Sequence, residues 1–169
     1  RDLYIKTMKS DDEARYDQWV ADKRNYVDLK TDGRVGYIHI PDMDTAGIIE
    51  FGKQFFPQSD KEGLIVDVRN NAGGYAHSML LERLYRKLWS FANARYLKPL
   101  RTPAQAFYGH MVGLCDQRTG SDGESFAEAF KRMGLGPMIG MRTWGGFVGI
   151  RGNRALMDGG GVTQPEWPA

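Results

Sequence analysis

The run Gly63-Leu-Ile-Val-Asp-Val68 constrains this chain more than any other feature. It is almost continuously apolar, rich in branched side chains and too short for a globular helix, so it reads as a strand. Without an apolar–polar alternation, both of its faces must be covered, which is the condition of a strand inside a parallel sheet. Parallel neighbours need crossover connections, and those are usually helices. The rest of the chain supplies both parts. Val35-Gly-Tyr-Ile-His-Ile40 reads as an earlier buried strand stopped by Pro41, Phe107 to Leu114 as a third, and Met138 to Thr143 as a further one. Between them, Thr45 to Phe56, Ser78 to Phe91 and Gly123 to Met133 have helical spacing, and residues 92–106, with Pro99 and Pro103, form a connection. The predicted class is therefore α/β with a mostly parallel sheet.

Ahead of this core, residues 10–30 carry a capped start and apolar positions near helical spacing (Tyr16, Trp19, Val20, Tyr26, Val27), followed by a Thr31-Asp-Gly33 turn. We read residues 1–30 as an amphipathic lead-in helix and 31–169 as one catalytic α/β domain, glycine-rich with short β pieces after Trp144. A chain of 169 residues can bury a real core. Its net charge of +2, with basic residues scattered among acids, gives no stripe for nucleic acid. No run approaches ~18 apolar residues, so no membrane span is expected. Cys115 is the sole cysteine, which excludes an intrachain disulfide, and its apolar context makes it a small buried hydrophobe. No metal or cofactor is implied. The chain starts at Arg1 rather than Met and reads as a piece of a longer protein, so a missing leader says nothing about compartment.

Two strand-to-helix junctions carry unusual chemistry: Arg69-Asn-Asn-Ala-Gly-Gly74 and Thr119-Gly-Ser-Asp-Gly123. In a parallel sheet with right-handed crossovers both lie at the carboxyl ends of their strands and can face one crevice. Ser121 stands at a sharp turn between glycines, with the unpaired amides of a helix start just after it. A hydroxyl beside free amides is what acyl transfer needs, a nucleophile and donors for the oxyanion. The same residues also fit a plain helix cap, since Ser121 and Glu124 have the spacing of a capping box. Gly73 and Gly74 let a backbone N–H come close to a substrate oxygen. Of the three histidines, His39 sits within a strand as a hydrogen-bonded core residue, and His110 is mid-strand and structural. His77 follows the glycine loop at a helix start and can line the cleft, serve there as a local base, or simply face solvent.

Several strings together resemble a known family. Leu64-Ile-Val-Asp-Val-Arg-Asn-Asn-Ala-Gly-Gly74 is similar to the signature of the tail-specific, or C-terminal processing, serine peptidases. Thr119 to Phe126, Leu135 to Ile150, Gly36 to Met43 and Asp158 to Glu166 resemble the tricorn branch of that clan, in order and spacing. The resemblance implies a crotonase-like or ClpP-like spiral of ββα repeats. It also implies Ser121 as nucleophile, the N–H groups of Gly74 and Asp122 as oxyanion donors, and peptides as substrates. Processing peptidases carry a lysine base in a Thr-Phe-Gly-Lys type loop; here Thr143-Trp-Gly-Gly146 occupies it, with glycine at the lysine position. The tricorn branch uses a histidine and a glutamate from segments outside this chain, so the isolated chain is expected to be inactive. Its preference for basic residues rests on an aspartate for which Ala92 stands here. Homohexamers, cytosolic in archaea, are implied by the same resemblance. Two other classes compete: a crotonase-like acyl-CoA enzyme, which needs no such serine, and a non-catalytic peptide-binding module.

Overall fold

The computed structural model describes Tyr4, Thr7 and residues 9–167. The opening residues of the expected lead-in segment and the last two of the expected catalytic domain lie outside them. In chain order the elements are α1 (Asp12–Lys30), β1 (Val35–His39), α2 (Thr45–Phe55), β2 (Gly63–Asp67), α3 (His77–Leu84), β3 (Ser90–Ala92), β4 (Leu100–Thr102), β5 (His110–Cys115), α4 (Asp122–Arg132), β6 (Met138–Gly140), β7 (Gly149–Ala155) and β8 (Gly161–Trp167). Strands β1, β2, β5 and β6 form one sheet in that order, every pair parallel. β3–β4 and β7–β8 are separate antiparallel pairs.

Because the sheet grows in one direction, right-handed crossovers place α2, α3 and α4 on the same face. The pleat then divides the residues. Ile38 and Ile40, with Leu64, Val66 and Val68, face those helices and pack with Phe51, Phe55, Leu80, Leu84, Phe126 and Phe130. Phe55, Phe126 and Phe130 are fully buried, and each such side chain stabilises the fold by about 1.5–3 kcal/mol. The opposite face presents Tyr37, His39 and Asp67. There α1 covers β1: the Trp19 ring meets His39 edge-on at 4.8 Å, and Tyr16 lies beside it.

β1 is an edge strand, and its outer backbone would be an open template for another chain. Two buried glutamines close it. Gln58 accepts the Tyr37 N–H at 2.9 Å and donates to the Tyr37 carbonyl at 3.0 Å. Gln54 does the same for His39, at 2.9 and 3.2 Å. Asp67, with no solvent exposure, sits at the end of β2 with the Arg69 guanidinium and the Tyr37 hydroxyl upon it. Its charge and burial together push the Tyr37 hydroxyl well above its ordinary pKa, burial being the larger cause.

Four expectations need correction. The strand expected over Met138–Thr143 runs only Met138–Gly140. The helix read as Ser78–Phe91 runs only His77–Leu84, and its apparent continuation turns into β3. The connection over 92–106 is not featureless, since Leu100–Thr102 pairs back on Ser90–Ala92. The third strand begins at His110 rather than Phe107, because His110 N–H is the first to reach across, to the Glu62 carbonyl at 2.9 Å. His110 is thus an exposed first residue, not a mid-strand one.

Candidate active site

The two glycine loops leave the carboxyl ends of neighbouring parallel strands, and they touch. The Gly120 N–H donates to the Asn71 carbonyl at 2.8 Å, and the Thr119 hydroxyl to the Val68 carbonyl at 2.8 Å. Asn71 is fully buried; its side chain donates to the Ile40 carbonyl at 3.0 Å and accepts the Gly73 N–H at 2.9 Å. Asp116 ties the loops from the other side, its Oδ1 receiving the N–H groups of Asn70, Arg118 and Thr119 at 3.0–3.1 Å. Burial alone would raise the Asp116 pKa, but these bonds and the Thr119 hydroxyl outweigh it and hold the carboxyl below its usual value.

Gly120-Ser121-Asp122-Gly123 closes as a tight turn, with the Gly123 N–H on the Gly120 carbonyl at 2.9 Å. Ser121 has φ 50° and ψ −121°, the geometry of the first central residue of a type II′ turn, where glycine is normally required. A serine held in that conformation between strand and helix is the arrangement of a nucleophile elbow. Gly73 lies directly against it: a β-carbon added there would come within 2.7 Å of Ser121 Cβ and 2.9 Å of the Asp122 nitrogen. Gly73 and Gly74 both have positive φ, 110° and 147°. Neither the Gly74 N–H nor the Asp122 N–H has an acceptor among the described residues. The structure thus brings Ser121, Asp122, Gly73 and Gly74 into one place, with two N–H groups that have no acceptor among the described residues.

The side chains around the turn are engaged. Glu124, 6% exposed, accepts three backbone N–H groups: Ser121 at 2.9 Å, Gly145 at 2.7 Å and Gly146 at 2.8 Å. Both arms of the expected capping box are present: the Glu124 carboxylate takes the Ser121 N–H and the Ser121 side chain faces the Glu124 N–H, which also goes to the Ser121 carbonyl at 2.9 Å. This carboxylate also fastens the loop after β6 beside the serine, with the Trp144 ring over Gly120. Spacing revealed the Ser121–Glu124 pair but not the link to residues 21 and 22 positions further on. A side chain at Gly146 would collide with the Trp144 ring, its β-carbon 2.2 Å from it, so a lysine cannot enter without moving the tryptophan.

Asp122, the residue after the serine, turns its carboxylate to α3. Its Oδ2 accepts the His77 N–H at 3.1 Å, and its Oδ1 lies 2.5 Å from His77 Nδ1, with the ring tilted off an ideal bonding line. His77 Nε2 is 3.1 Å from the Ser78 hydroxyl. His39 is occupied too: a carbonyl can only accept, so Nε2 donates to Arg69 at 2.9 Å and Nδ1 accepts from Tyr16 at 3.0 Å. Burial pushes its pKa below the ordinary value. His110 sits at the amino end of β5, away from Ser121. Ala92 lies on β3, in a hairpin that Arg101 fastens to Ser59 and Asp60, ahead of β2 and so at the opposite end of the sheet. Beside the turn runs a groove of about 670 Å³, lined by Glu124, Ala127, Met138, Met141, Thr143 and Phe147 among others. Among the described residues no cluster of His, Cys, Asp or Glu could hold a metal ion, and no helix is long and apolar enough to cross a membrane.

A parallel α/β sheet that carries a positive-φ serine against a double-glycine loop is an arrangement whose fold is shared with solved proteases. The chain belongs to peptidase family S41, whose family model matches residues 34–167. It is 41% identical over 169 residues to the tricorn protease of Thermoplasma volcanium, covering 99% of this chain and 16% of that protein. It is 42% identical over 167 residues to the tricorn protease of Thermoplasma acidophilum, again with 99% and 16% covered. The crystal structure of the tricorn protease superimposes with a TM-score of 0.91 at 42% identity, over 99% of this chain and 16% of that one. The photosystem II D1 C-terminal processing protease shares the fold, with a TM-score of 0.56 at 22% identity, over 78% of this chain and 36% of that one. The chain therefore spans about 16% of the length of the tricorn relatives it matches.

Proposed function

We propose that this chain is the serine-bearing part of a serine peptidase. Ser121 attacks the carbonyl carbon of a peptide bond as its proton passes to a general base, which later hands it to the leaving amine. The carbonyl oxygen swings onto the N–H groups of Gly74 and Asp122. The tetrahedral intermediate collapses with loss of the amine, and water then releases the acyl-enzyme. The observation that carries this reading is the Ser121 turn itself. Its φ of 50° is unfavourable for serine, and a helix cap does not call for it, since N-cap residues ordinarily take the β region. The turn also leaves the next N–H, on Asp122, without an acceptor beside the Ser121 side chain. An acyl-CoA enzyme of related fold would need the two amides but not the strained serine.

The general base comes from a segment outside these residues. The nitrogens of His39 and His77 already face other partners, His110 is at the wrong end of β5, and Gly146 excludes a lysine. Alone, the 169-residue chain is accordingly inactive toward peptides, because an unassisted serine hydroxyl is a poor nucleophile. The test is Ser121→Ala in the intact protein, with peptide hydrolysis and covalent labelling by a fluorophosphonate as readouts. Labelling should vanish and hydrolysis should fall below about a thousandth of wild type. Hydrolysis surviving above that level, or label on another residue, refutes the assignment.

A further inference from the structure

The contact between Asp122 and His77 is not needed for any step above, yet it joins the two halves of the candidate oxyanion site. The Asp122 N–H is one donor. The other, on Gly74, is three residues before His77, on the loop that leads into α3. Asp122 belongs to α4 and His77 to α3, so nothing in the covalent chain fixes the distance between the two donors. Gly73 only sets a closest approach, through its contact with Ser121 Cβ and the Asp122 nitrogen. A contact that prevents collision does not prevent separation. The Gly120–Asn71 bond and Asp116 tie the two loops at their strand ends. The Asp122 carboxylate adds a restraint on the α3 side: it accepts the His77 backbone N–H at 3.1 Å, with the imidazole Nδ1 in close polar contact at 2.5 Å but off hydrogen-bond geometry. The carboxylate is about 10% exposed, so it is shielded from competing water.

We propose that His77 and the Asp122 side chain form a positioning pair that sets the spacing of the Gly74 and Asp122 N–H groups, and through it the strength of oxyanion binding. The proposal rests on the reading of those groups as the oxyanion donors. His77 touches no reacting atom; it acts through Asp122. The ring orientation is set on its far side by the Ser78 hydroxyl, 3.1 Å from Nε2. That placement directs Nε2 along α3 and away from a proton-transfer role. An asparagine at 77 carries an amide N–H that can replace the Nδ1 contact with Asp122 Oδ1, whereas alanine removes that contact and leaves only the backbone bond.

The experiment uses the intact protein and compares wild type, His77→Ala and His77→Asn, with Ser121→Ala as the control for the underlying reading. Three quantities are measured: kcat and KM on a peptide p-nitroanilide, the affinity of a peptide aldehyde that forms a tetrahedral adduct, and the pH profile of kcat/KM. A displacement of about 1 Å at a catalytic donor costs on the order of 100-fold. His77→Ala should therefore lower kcat by about 10- to 100-fold with KM within about twofold, and weaken the aldehyde by a matching factor. The pH profile should keep its shape, and His77→Asn should recover most of kcat and of aldehyde affinity. Circular dichroism verifies that each variant folds; should alanine unfold the protein, the asparagine variant and its aldehyde affinity decide the matter. Unchanged kcat in His77→Ala overturns the proposal. So does an asparagine variant as impaired as alanine, and so does loss of an ionisation from the pH profile, which would make His77 a proton carrier. If Ser121→Ala remains fully active, the peptidase reading falls instead, whatever the histidine variants show.

Discussion

Glu124→Ala should loosen the chain around the serine more than its single position suggests. The carboxylate is 6% exposed and accepts the N–H groups of Ser121, Gly145 and Gly146 at 2.7–2.9 Å. A hydrogen bond to a charged group contributes about 1.5–3 kcal/mol, so simple addition over three bonds would exceed 4 kcal/mol. Gly145 is exposed and Gly146 half-buried, and water can satisfy both once the carboxylate is gone. Only the Ser121 N–H is left poorly solvated. We therefore expect a loss of about 2–3 kcal/mol, including a few tenths for an acidic residue removed from the first turn of α4. For a domain of this size that lowers the melting temperature by roughly 5–10 °C. Glu124→Gln keeps acceptors for two of the three donors but turns its NH₂ toward the third, and should cost about half as much. Thermal unfolding gives the energies, and amide hydrogen exchange at Gly145 and Gly146 shows where they act. The reasoning is refuted if both variants stay within about 0.5 kcal/mol of wild type, or if exchange at the two glycines is unchanged.

Gly73→Ala is expected to abolish peptide hydrolysis in the intact protein, because its methyl would meet Ser121 Cβ at 2.7 Å and its φ of 110° disfavours any side chain; hydrolysis assays and a melt separate lost activity from lost fold. Stability should also depend on pH through His39. Its folded pKa lies below the ordinary ~6.5 because burial disfavours the cation. The unfolded chain then binds the proton more readily, so stability is full above ~6.5 and declines as pH falls toward the folded value. Urea titrations at pH 5, 6 and 7.5 (roughly the range in which an unperturbed His changes charge) should show that decline in wild type and a weaker one in His39→Gln.

The strands that bear the site were the most legible part of the chain. Gly63–Val68 had one reading, and its end at Asp67 places the glycine loop where chemistry occurs in such sheets. Ser121 was legible because glycine on both sides, a strand before and a helix after leave few other geometries. What the sequence hid is mostly contact at a distance. The tail of α3 looked helical because Leu84, Leu88 and Phe91 keep its spacing, yet pairing of Ser90–Ala92 with Leu100–Thr102 wins. Strand pairing across a loop containing Pro99 leaves no local pattern. Likewise, nothing near Glu124 announces that it will hold Gly145 and Gly146, and nothing near Asp122 points to His77. Those links exist only once three separate loops have been brought to one end of the sheet.

The conformation of Ser121 has a bearing on how this protein can change. A residue with a side chain in that region of backbone space costs about 1–3 kcal/mol relative to its relaxed form, and glycine escapes most of it. A glycine at 121 alone would relieve that strain and would lack a hydroxyl. On backbone strain alone glycine would be favoured there, so the serine is retained for what its side chain does, the cap on Glu124 and, under the proposed function, the chemistry. Position 121 is a place where the chain is less stable than it could be, and the tethers around it, from Asn71, Asp116 and Glu124, are what make that deficit tolerable.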